Sequence, residues 1–436
     1  MIRKYTLIIT LCLFHFQGLI AQNPLSLSDA VQIALANNFD ILISKEEVKI
    51  ASNNNTAGNA GQLPTVNVSV NQNNSLNDQN NPASFVQGQF ITNSLQGGID
   101  VNWILFNGLK IKMNKQRLGL LQQQSEGNAA LVVENTIQAV ILSYYNTVLQ
   151  QERLKLFDEL KTLSREEYEY HRYKQELGAE SSFDVLTIKS AYYTDSTNYL
   201  NQQLVLRNAQ RELNYLISVP TETSFSLTDT IIPSIEVYNY EVLKEKMQSN
   251  NTTLRNQFIN QEILNAQTRM AKGDLYPVIS TNIGTSTGWN RFAVEDMSRE
   301  GTSTNYYANF AVQYRLYDGG KFRTAVQNAT MQEEIGSLNI EKMSLSLEKD
   351  LRNNYETYNT QILSLGIARE NLGISKSNLE LGGEKFKLGS INSFNYRDLQ
   401  LQYLVANISL LESAYNLIQT HTELVRITGG IIDSVE

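Results

Sequence analysis

Four stretches of the chain alternate apolar and polar residues with a period of two, which is the pattern of a β-strand with one apolar face. The clearest is QGGIDVNWILFNG at 96–108, whose apolar side chains fall on one side: Ile99, Val101, Trp103 and Leu105. The alternation predicts four strands, at about 65–75, 94–106, 277–287 and 305–317. These strands form two hairpins, and the polar segments 71–81 and 290–303 are predicted to be the hairpin loops.

Each hairpin is preceded by a segment with helical periodicity. We predict a first helix over about 28–61, with Ser28 as its N-cap, and a counterpart over about 240–272. Pro64 and Pro277 follow these two helices and end the helical pattern.

A much longer helical pattern follows each hairpin. From Gly108 to about Glu176 it spans roughly 68 residues, or about 100 Å at 1.5 Å per residue, and the second one begins after Gly319. In both, apolar residues form a narrow coiled-coil seam: Val133, Ile137, Val140, Tyr144 and Val148 in the first, and Leu351, Tyr355, Tyr358, Ile362, Leu365, Leu372 and Leu379 in the second. After the turns LGAESS and LGSINS, a further helix is predicted to return over 182–218 and 392–428.

The chain is also a repeat of itself. LFNGLK at 105–110 matches LYDGGK at 316–321, and LGAESSFDV at 177–185 matches LGSINSFNY at 388–396. These matches share one order and a spacing of about 211 residues, as expected for tandem copies of one unit. We place the two copies at about 25–219 and 237–429.

The N-terminal residues have the pattern of a secretory signal peptide. Arg3 and Lys4 precede an apolar run, and Ala21 is the small residue at the predicted cleavage site. We therefore predict a signal peptide over 1–21 and a mature chain over 22–436. Cleavage would remove Cys12, the only cysteine, and with it any thiol or disulfide chemistry.

The mature chain has no apolar run long enough for a transmembrane helix, but an exported chain can also enter a membrane through alternating strands. Four strands cannot stay in lipid alone, because the open edges would leave backbone groups without hydrogen-bond partners. The chain must therefore oligomerise. Two chains would give an eight-stranded barrel filled by side chains, and three would give twelve strands with room for a lumen.

Candidate chemistry is sparse. The formal net charge of −8 argues against a nucleic-acid partner, and we find no catalytic constellation, phosphate-binding loop or cofactor motif. Glu167 and His171 stand four residues apart on one helical face, but two ligands without a third are more typical of a solvated pair than of a metal site. We predict that the protein is not an enzyme and holds no metal or cofactor.

Taken together, the tandem copies, the two prolines and the LFNG, LYDGG, LGAESSFDVL and LGSINSFNYRDL motifs resemble the outer membrane efflux proteins, the TolC-like exit ducts of Gram-negative bacteria. The resemblance covers nearly the whole mature chain. It implies a mainly α fold with a β-barrel portion, in which long antiparallel helical hairpins form a periplasmic α-barrel. Four strands per chain would close as a 12-stranded barrel in a homotrimer in the outer membrane.

The resemblance also implies a function and partners. The protein would be a passive exit duct of a tripartite efflux or type I secretion system, extending from the outer membrane into the periplasm. A periplasmic adaptor (membrane fusion protein) and an inner-membrane transporter would be its partners, and outer-membrane lipid would surround its barrel.

Matching the family motifs residue by residue gives candidate sites. The periplasmic aperture candidates are Asp184, Asn395 and Asp398, and Asn395 departs from the acidic residue that is frequent at its position. The adaptor-docking tips are Leu177, Gly178, Leu388 and Gly389, and the membrane-interface aromatics are Trp103, Trp289, Tyr306 and Tyr317. Phe386 and Ile391 stand where some members have polar groups that tie the tip shut.

Two other classes of protein remain open on the sequence. A periplasmic coiled-coil adaptor or scaffold without a membrane barrel accounts for the long helices but not for the alternating strands. A surface-bound enzyme or binding protein accounts for the signal peptide but requires a convergent site. Deleting the hairpin over 65–106 distinguishes the scaffold from the duct, because a scaffold should stay soluble and folded whereas a duct should lose membrane insertion.

Overall fold

The computed structural model describes residues 23–294 and 297–432, and the predicted signal peptide lies outside them. In chain order the elements are β1 (Asn23–Leu25), α1 (Leu27–Asn37), α2 (Phe39–Asn54), α3 (Ala57–Ala60), β2 (Thr65–Gln79), β3 (Gly88–Asn107), α4 (Lys110–Glu176), α5 (Ser182–Leu216), β4 (Phe225–Leu227), α6 (Tyr240–Asn250), α7 (Thr252–Gly273), β5 (Val278–Val294), β6 (Met297–Gln313), α8 (Lys321–Lys387) and α9 (Ser393–Ile427).

The predicted combination of long helices with four long strands is confirmed. Helices α4 and α8 contain 67 residues each, and α5 and α9, which return after the two turns, contain 35 each. Across the described ranges, no helix has both the length and the apolar character needed to cross a membrane.

The start of the first helix differs from the prediction. Its N-cap is Ser26 rather than Ser28, because the Ser26 hydroxyl accepts a hydrogen bond from the Asp29 amide at 3.1 Å. The Asp29 carboxylate in turn accepts the Ser26 amide at 3.2 Å, which completes a capping box. Residue 28 therefore already lies inside α1.

The helix predicted over 28–61 is also interrupted, and forms α1, α2 and α3. At the first break the Asn38 side chain donates to the Leu216 carbonyl at 2.8 Å, while its Oδ1 accepts the Asp40 amide at 2.9 Å. The counterpart over 240–272 breaks between α6 and α7, where Asn251 donates to the Ile427 carbonyl at 2.9 Å. Each asparagine side chain donates to a carbonyl at the C-terminal end of a returning helix, α5 or α9, and Asn38 also accepts a backbone amide of the next segment. These bonds stabilise the two breaks.

The strands extend further towards the hairpin turns than predicted. Beyond the predicted bounds, 76–79 belongs to β2, 288–294 to β5 and 297–304 to β6. Polar side chains continue the pairing there, since Thr92 lies 3.1 Å from the Ser75 hydroxyl and accepts the Asn77 amide at 3.2 Å. At its other end β6 stops at Gln313, short of the predicted residue 317.

The four long strands form one antiparallel sheet in the order β2-β3-β5-β6. Strand β3 therefore pairs with β5 of the second hairpin as well as with β2 of its own. Within the described chain, the outer edges of β2 and β6 pair with no other strand.

The described residues form two compact units. One contains Ala130–Thr252 together with the segments that end at Ser44 and begin at Ser344, and the other contains Lys45–Ala129 and Thr253–Met343. The sheet lies wholly in the second unit.

The first unit is organised around two apolar cores, and both use residues of the predicted helical seams. One core surrounds Tyr144, whose hydroxyl donates to the Asp229 carboxylate at 2.6 Å. The other core surrounds Tyr358, whose hydroxyl donates to the Glu236 carbonyl at 3.0 Å. Both tyrosines are fully buried. Each hydroxyl forms a hydrogen bond with a polar group, the Asp229 carboxylate or the Glu236 carbonyl, that would have no partner in a purely apolar core.

Candidate functional site

The sheet has one apolar and one polar face, because consecutive strand residues point to opposite sides. Cross-strand rows on the apolar face include Val66, Val101, Ile283 and Ala308, followed by Val68, Ile99, Thr285 and Tyr306. The opposite face, called here the polar face, carries Asn67, Ser69, Asn71, Asp100, Asn102, Asn282, Asn305 and Asn309. A sheet with this division can separate lipid from water.

The apolar rows have a height that suits a bilayer. They run from Leu95 to Phe106 on β3, or about 36 Å along the strand at ~3.3 Å per residue. A strand tilt of about 45° reduces this to about 26 Å, close to the ~25 Å apolar band of transmembrane barrels. The row beyond Leu95 and Trp289 holds Asn74, Asn93 and the ion pair of Arg291 with Glu300 at 3.8 Å, so the band ends there.

Three of the four predicted interface aromatics lie on strands of this sheet. Trp103 and Trp289 occupy rows near opposite ends of the apolar face, and the Trp103 indole donates to the Gln62 carbonyl at 3.1 Å. Tyr306 lies in the middle of the band, and Tyr317 lies beyond the end of β6. The two tryptophans thus lie near opposite ends of the apolar face, and the two tyrosines lie elsewhere.

The polar face contains a cross-strand contact that skips one strand. Tyr307 on β6 donates to the Asp100 carboxylate on β3, passing over Gly284 on β5. A Cβ at Gly284 would lie 2.6 Å from the Tyr307 hydroxyl oxygen and 2.5 Å from the Ile99 carbonyl oxygen. Glycine is therefore required at this position for the tyrosine to reach the aspartate.

The two tips of the helical hairpins share one local structure. Gly178 and Gly389 have φ angles of 73° and 71°, in the left-handed region that glycine adopts without strain. Each ends its helix with paired backbone bonds, such as that from the Ala179 amide to the Lys174 carbonyl at 2.9 Å. Leu177 and Leu388 precede these glycines and are 66% and 81% exposed, so each tip presents an apolar side chain to its surroundings.

Asp184 and Asn395 lie in the first turns of α5 and α9, and Asp398 lies in the second turn of α9. The Ser181 hydroxyl, which is the N-cap of α5, donates to the Asp184 carboxylate at 2.6 Å and accepts the Asp184 backbone amide at 3.2 Å. The Asp398 carboxylate accepts a hydrogen bond from the side-chain amide of Gln402 at 2.6 Å. The Asn395 backbone amide donates to Oδ1 of Asn392, the N-cap of α9. These bonds are local to each turn.

A polar cluster that the sequence did not predict lies between the helices of the first unit. The Arg397 guanidinium on α9 lies 2.5 Å from the Asp195 carboxylate on α5, and Asp195 is 1% exposed. One turn further along α9, the Gln400 amide donates to the Glu167 carboxylate on α4 at 2.7 Å. Burial raises the pKa of Glu167 above its ordinary value, against the opposing effects of the Gln400 bond and the Arg397 charge.

The repeat could have revealed this cluster. A shift of 211 residues aligns Arg397 with Leu186 and Asp195 with Ala406. A position that holds a charged residue in one copy and an apolar residue in the other indicates that its environment differs between the two copies.

The second member of the suspected metal pair, His171, packs among aromatic rings. Its ring centroid lies 6.2 Å from that of Phe386, which stacks in turn on Tyr396 at 4.8 Å. Its Nδ1 lies 3.2 Å from a Glu180 carboxylate oxygen, but the ring N–H is not aligned for a hydrogen bond. Among residues 23–294 and 297–432, no three acidic, histidine or cysteine side chains are arranged to hold a metal ion.

Known structures share this fold. The Campylobacter jejuni CmeC outer membrane channel is 15% identical, with a TM-score of 0.79 over 93% of this chain and 85% of that chain. The open state of the Neisseria gonorrhoeae MtrE outer membrane channel is also 15% identical, with a TM-score of 0.71 over 93% and 89%. The outer membrane protein VceC of Vibrio cholerae is 11% identical, with a TM-score of 0.71 over 93% and 96%.

A comparison with curated proteins found no match. The model of the outer membrane efflux protein family, however, matches the chain twice, over residues 30–218 and 243–430. These two matches take in the two hairpins of strands, all four long helices and both tips. The chain therefore belongs to the outer membrane efflux protein family, and it is an exit channel of the outer membrane rather than an enzyme.

Proposed function

We propose that three copies of this chain form a passive exit duct, with a 12-stranded barrel in the outer membrane and a helical tunnel in the periplasm. The observation that carries the proposal is the sheet itself, which has separate apolar and polar faces and an open edge on β2 and on β6. Because neighbouring strands alternate in direction, β6 of one copy is antiparallel to β2 of the next. Repeating this contact closes a ring of antiparallel strands without an exposed edge.

The polar face favours three copies over two. Eight strands leave an interior only wide enough to be filled by side chains, whereas twelve leave a lumen. The inward face would carry a dense set of asparagine and serine side chains, which prefer contact with water to a packed interior. A water-filled lumen satisfies them.

The energy for export would come from partners, because the chain is not an enzyme. An inner-membrane transporter and a periplasmic adaptor of a tripartite efflux or type I secretion system would drive transport. The adaptor would dock at the exposed tips formed by Leu177, Gly178, Leu388 and Gly389. To open the tip it must contact the open state better than the closed state, since equal binding shifts no equilibrium.

We further propose that Asp184, Asn395 and Asp398 line the periplasmic aperture. Asp184 lies in the first turn of α5 and Asp398 in the second turn of α9, close to the two tips. Three copies would bring six carboxylates to one constriction, which would repel anions and attract cations.

The proposal is tested by the mass of the mature protein in mild detergent and by its conductance in planar bilayers. We expect a mass of three chains, after correction for bound detergent, and a steady ion-conducting pore. A variant without residues 65–106 is the control, and it should neither insert nor conduct. A water-soluble single chain would contradict the proposal and favour a periplasmic scaffold.

A further inference from the structure

We propose that the groove between the end of β3 and the start of α4 binds an anionic phospholipid of the periplasmic leaflet, with the phosphate at Lys112 and the acyl chains against Trp103 and Leu109. The inference rests on the proposed duct, because it requires the strands to lie in the membrane and the long helices in the periplasm. Its evidence is the lining of the groove, a cation without a partner and a strained leucine. Each chain would carry one such site.

The groove lies beside the last residues of β3, where the apolar face of the sheet ends. Most of its wall is apolar and is formed by Trp103, Ile104, Leu105, Phe106, Leu109 and Ile111. Its polar members are Gln62, Asn107 and Lys112. A volume of about 410 Å³ places it in the size range of ligand sites, about 300–1,000 Å³. The groove therefore extends the apolar face to the depth at which acyl chains would meet headgroups.

The charge in the groove comes from Lys112. The neighbouring cations of α4 have partners, since Lys110 lies 2.5 Å from Asp274 and Lys115 donates to the Asn55 carbonyl at 2.9 Å. Lys112 is exposed, and within the described chain it forms neither an ion pair nor a hydrogen bond. Among the described residues that line the groove, none is acidic. An anionic group is thus the complement of this wall, and lipid phosphate supplies one at this depth.

Leu109 is held in a conformation that a leucine disfavours. Its φ angle is 68°, in the left-handed region where a branched side chain is strained. Bonds on both sides fix the turn: the Asn107 side chain accepts the Ile111 amide at 3.2 Å, and the Leu109 carbonyl accepts the Met113 amide at 3.0 Å. The side chain is nevertheless 59% exposed in the groove. Strain of this kind is typical of functional positions, and an acyl chain would cover this apolar side chain.

The second copy makes the same turn without the leucine. Gly320 is the equivalent of Leu109, and its φ angle of 86° causes glycine no strain. The equivalent of Ile104 is Arg315, which lies over the Phe322 ring at 5.5 Å. The turn therefore does not require a leucine, and two apolar members of the groove wall are specific to the first copy. This difference favours a role for the Leu109 side chain itself.

The two tryptophans allow this site to be compared with the opposite end of the apolar face. The Trp103 indole donates to the Gln62 carbonyl at 3.1 Å, which holds its ring at the wall of the groove. Near Trp289, the charge of Arg291 is paired with Glu300 at 3.8 Å. A preference for anionic lipid should therefore occur at Trp103 and be absent at Trp289.

Quenching of Trp103 fluorescence by brominated lipids tests the site. The Trp289→Phe variant is reconstituted into vesicles of phosphatidylcholine and phosphatidylglycerol, with one of the two lipids brominated. At low salt we expect phosphatidylglycerol to bind beside Trp103 about five times as strongly as phosphatidylcholine, which is the effect of one cation close to an anionic lipid. Lys112→Gln should abolish this preference, whereas Lys112→Arg should retain it.

Three controls use the rest of the chain. Arg323→Gln removes the cation equivalent to Lys112 in the second copy, and it should leave the preference at Trp103 unchanged. Leu109→Gly introduces the residue of the second copy; it should fold, because glycine adopts this φ without strain, but it should weaken the preference. Trp103→Phe leaves Trp289 as the fluorophore, and the two lipids should quench it equally.

The outcomes separate the lipid site from the duct. If both lipids quench Trp103 equally, or if Lys112→Gln keeps the preference of the parent protein, the site is wrong and the duct stands. If neither brominated lipid quenches Trp103 or Trp289, the strands do not lie in the membrane, and the duct and the site are wrong together.

Discussion

Arg397 on α9 holds its guanidinium 2.5 Å from the carboxylate of Asp195 on α5, in a site where the aspartate is 1% exposed. The second carboxylate oxygen of Asp195 has no hydrogen-bond partner within the described chain. Removing the arginine would therefore leave a buried charge uncompensated. We expect Arg397→Met to lower the free energy of unfolding by about 3–5 kcal/mol, measured by denaturation in detergent.

Two controls separate this effect from a general loss of packing. The double variant Asp195→Ala with Arg397→Leu introduces the residues found at the equivalent positions of the repeat, and it should recover most of the stability. Arg165→Met removes an exposed arginine 4.0 Å from Glu169 and should change the stability by about 0–1 kcal/mol. Equal effects of Arg397→Met and Arg165→Met would contradict the assigned role of the buried pair.

The raised pKa of Glu167 predicts a dependence of stability on pH. Burial is the largest cause of the shift, and it makes the folded protein hold this proton more tightly than the unfolded chain. The resulting stabilisation is complete below the pKa of the unfolded chain, and it is lost as the pH rises through the higher pKa of the folded state.

We therefore expect Glu167→Gln to be more stable than the parent protein at neutral pH and to show a flatter profile above about pH 4.5. The amide can still accept the bond from Gln400. Glu166→Gln, on the exposed side of α4, is the control for the loss of one charge. Denaturation midpoints at pH 5 and pH 8 measure the effect, and a variant with the slope of the parent protein would refute the assignment.

The sequence predicts the regular elements well, because their periodicity is local. The face that carries Ile99, Val101 and Trp103 follows from a period of two, whatever the rest of the chain does. The break at Asn38 is different, since it depends on a bond to Leu216, which is 178 residues away in the chain. The alternation also does not predict the polar strand end 76–79, because partners on the next strand rather than apolar residues keep it paired.

The candidate site also has parts that are encoded locally and parts that depend on residues distant in the chain. The tips follow from Gly178 and Gly389, whose turns are encoded within a few residues. The contact of Asp195 with Arg397 joins residues 202 positions apart and requires the relative rotation of two helices, which helical periodicity does not specify. In the sequence, only the exchange of charged for apolar residues between the two copies indicates this contact.

The two tryptophans, the only ones in the chain, allow the depth of the proposed barrel in the membrane to be measured. Trp289→Phe leaves Trp103 as the sole fluorophore, and Trp103→Phe leaves Trp289. Because both lie near the ends of the apolar face, we expect lipids brominated near the headgroup to quench both more than lipids brominated near the chain ends. Quenching by iodide from the lumen, without quenching by lipid, would reverse the assignment of the two faces.

The aperture residues predict an ion selectivity. We expect the double variant Asp184→Asn with Asp398→Asn to lower the ratio of cation to anion permeability, because six carboxylates would leave the constriction of a three-copy duct. At position 184, an asparagine side-chain oxygen can still accept the hydrogen bond from the Ser181 hydroxyl. The control is Asp158→Asn, which removes an exposed carboxylate of α4 that lies 18 positions before the end of the helix at Glu176. Reversal potentials in a salt gradient measure the ratio of cation to anion permeability. An unchanged ratio would exclude these residues from the aperture.

Gly284 should be intolerant of any side chain, although it lies in a strand that is otherwise regular. A Cβ there would lie within 2.6 Å of the Tyr307 hydroxyl oxygen and would block its bond to Asp100. We expect Gly284→Ala to lower the free energy of unfolding by about 1–3 kcal/mol, the usual cost of overpacking. Gly301→Ala is the matched control in the same sheet, because a Cβ at Gly301 would meet no atom within 4 Å. Thermal unfolding of the two variants in detergent compares them directly. If both unfold at the temperature of the parent protein, the crossing of Tyr307 over Gly284 does not stabilise the sheet.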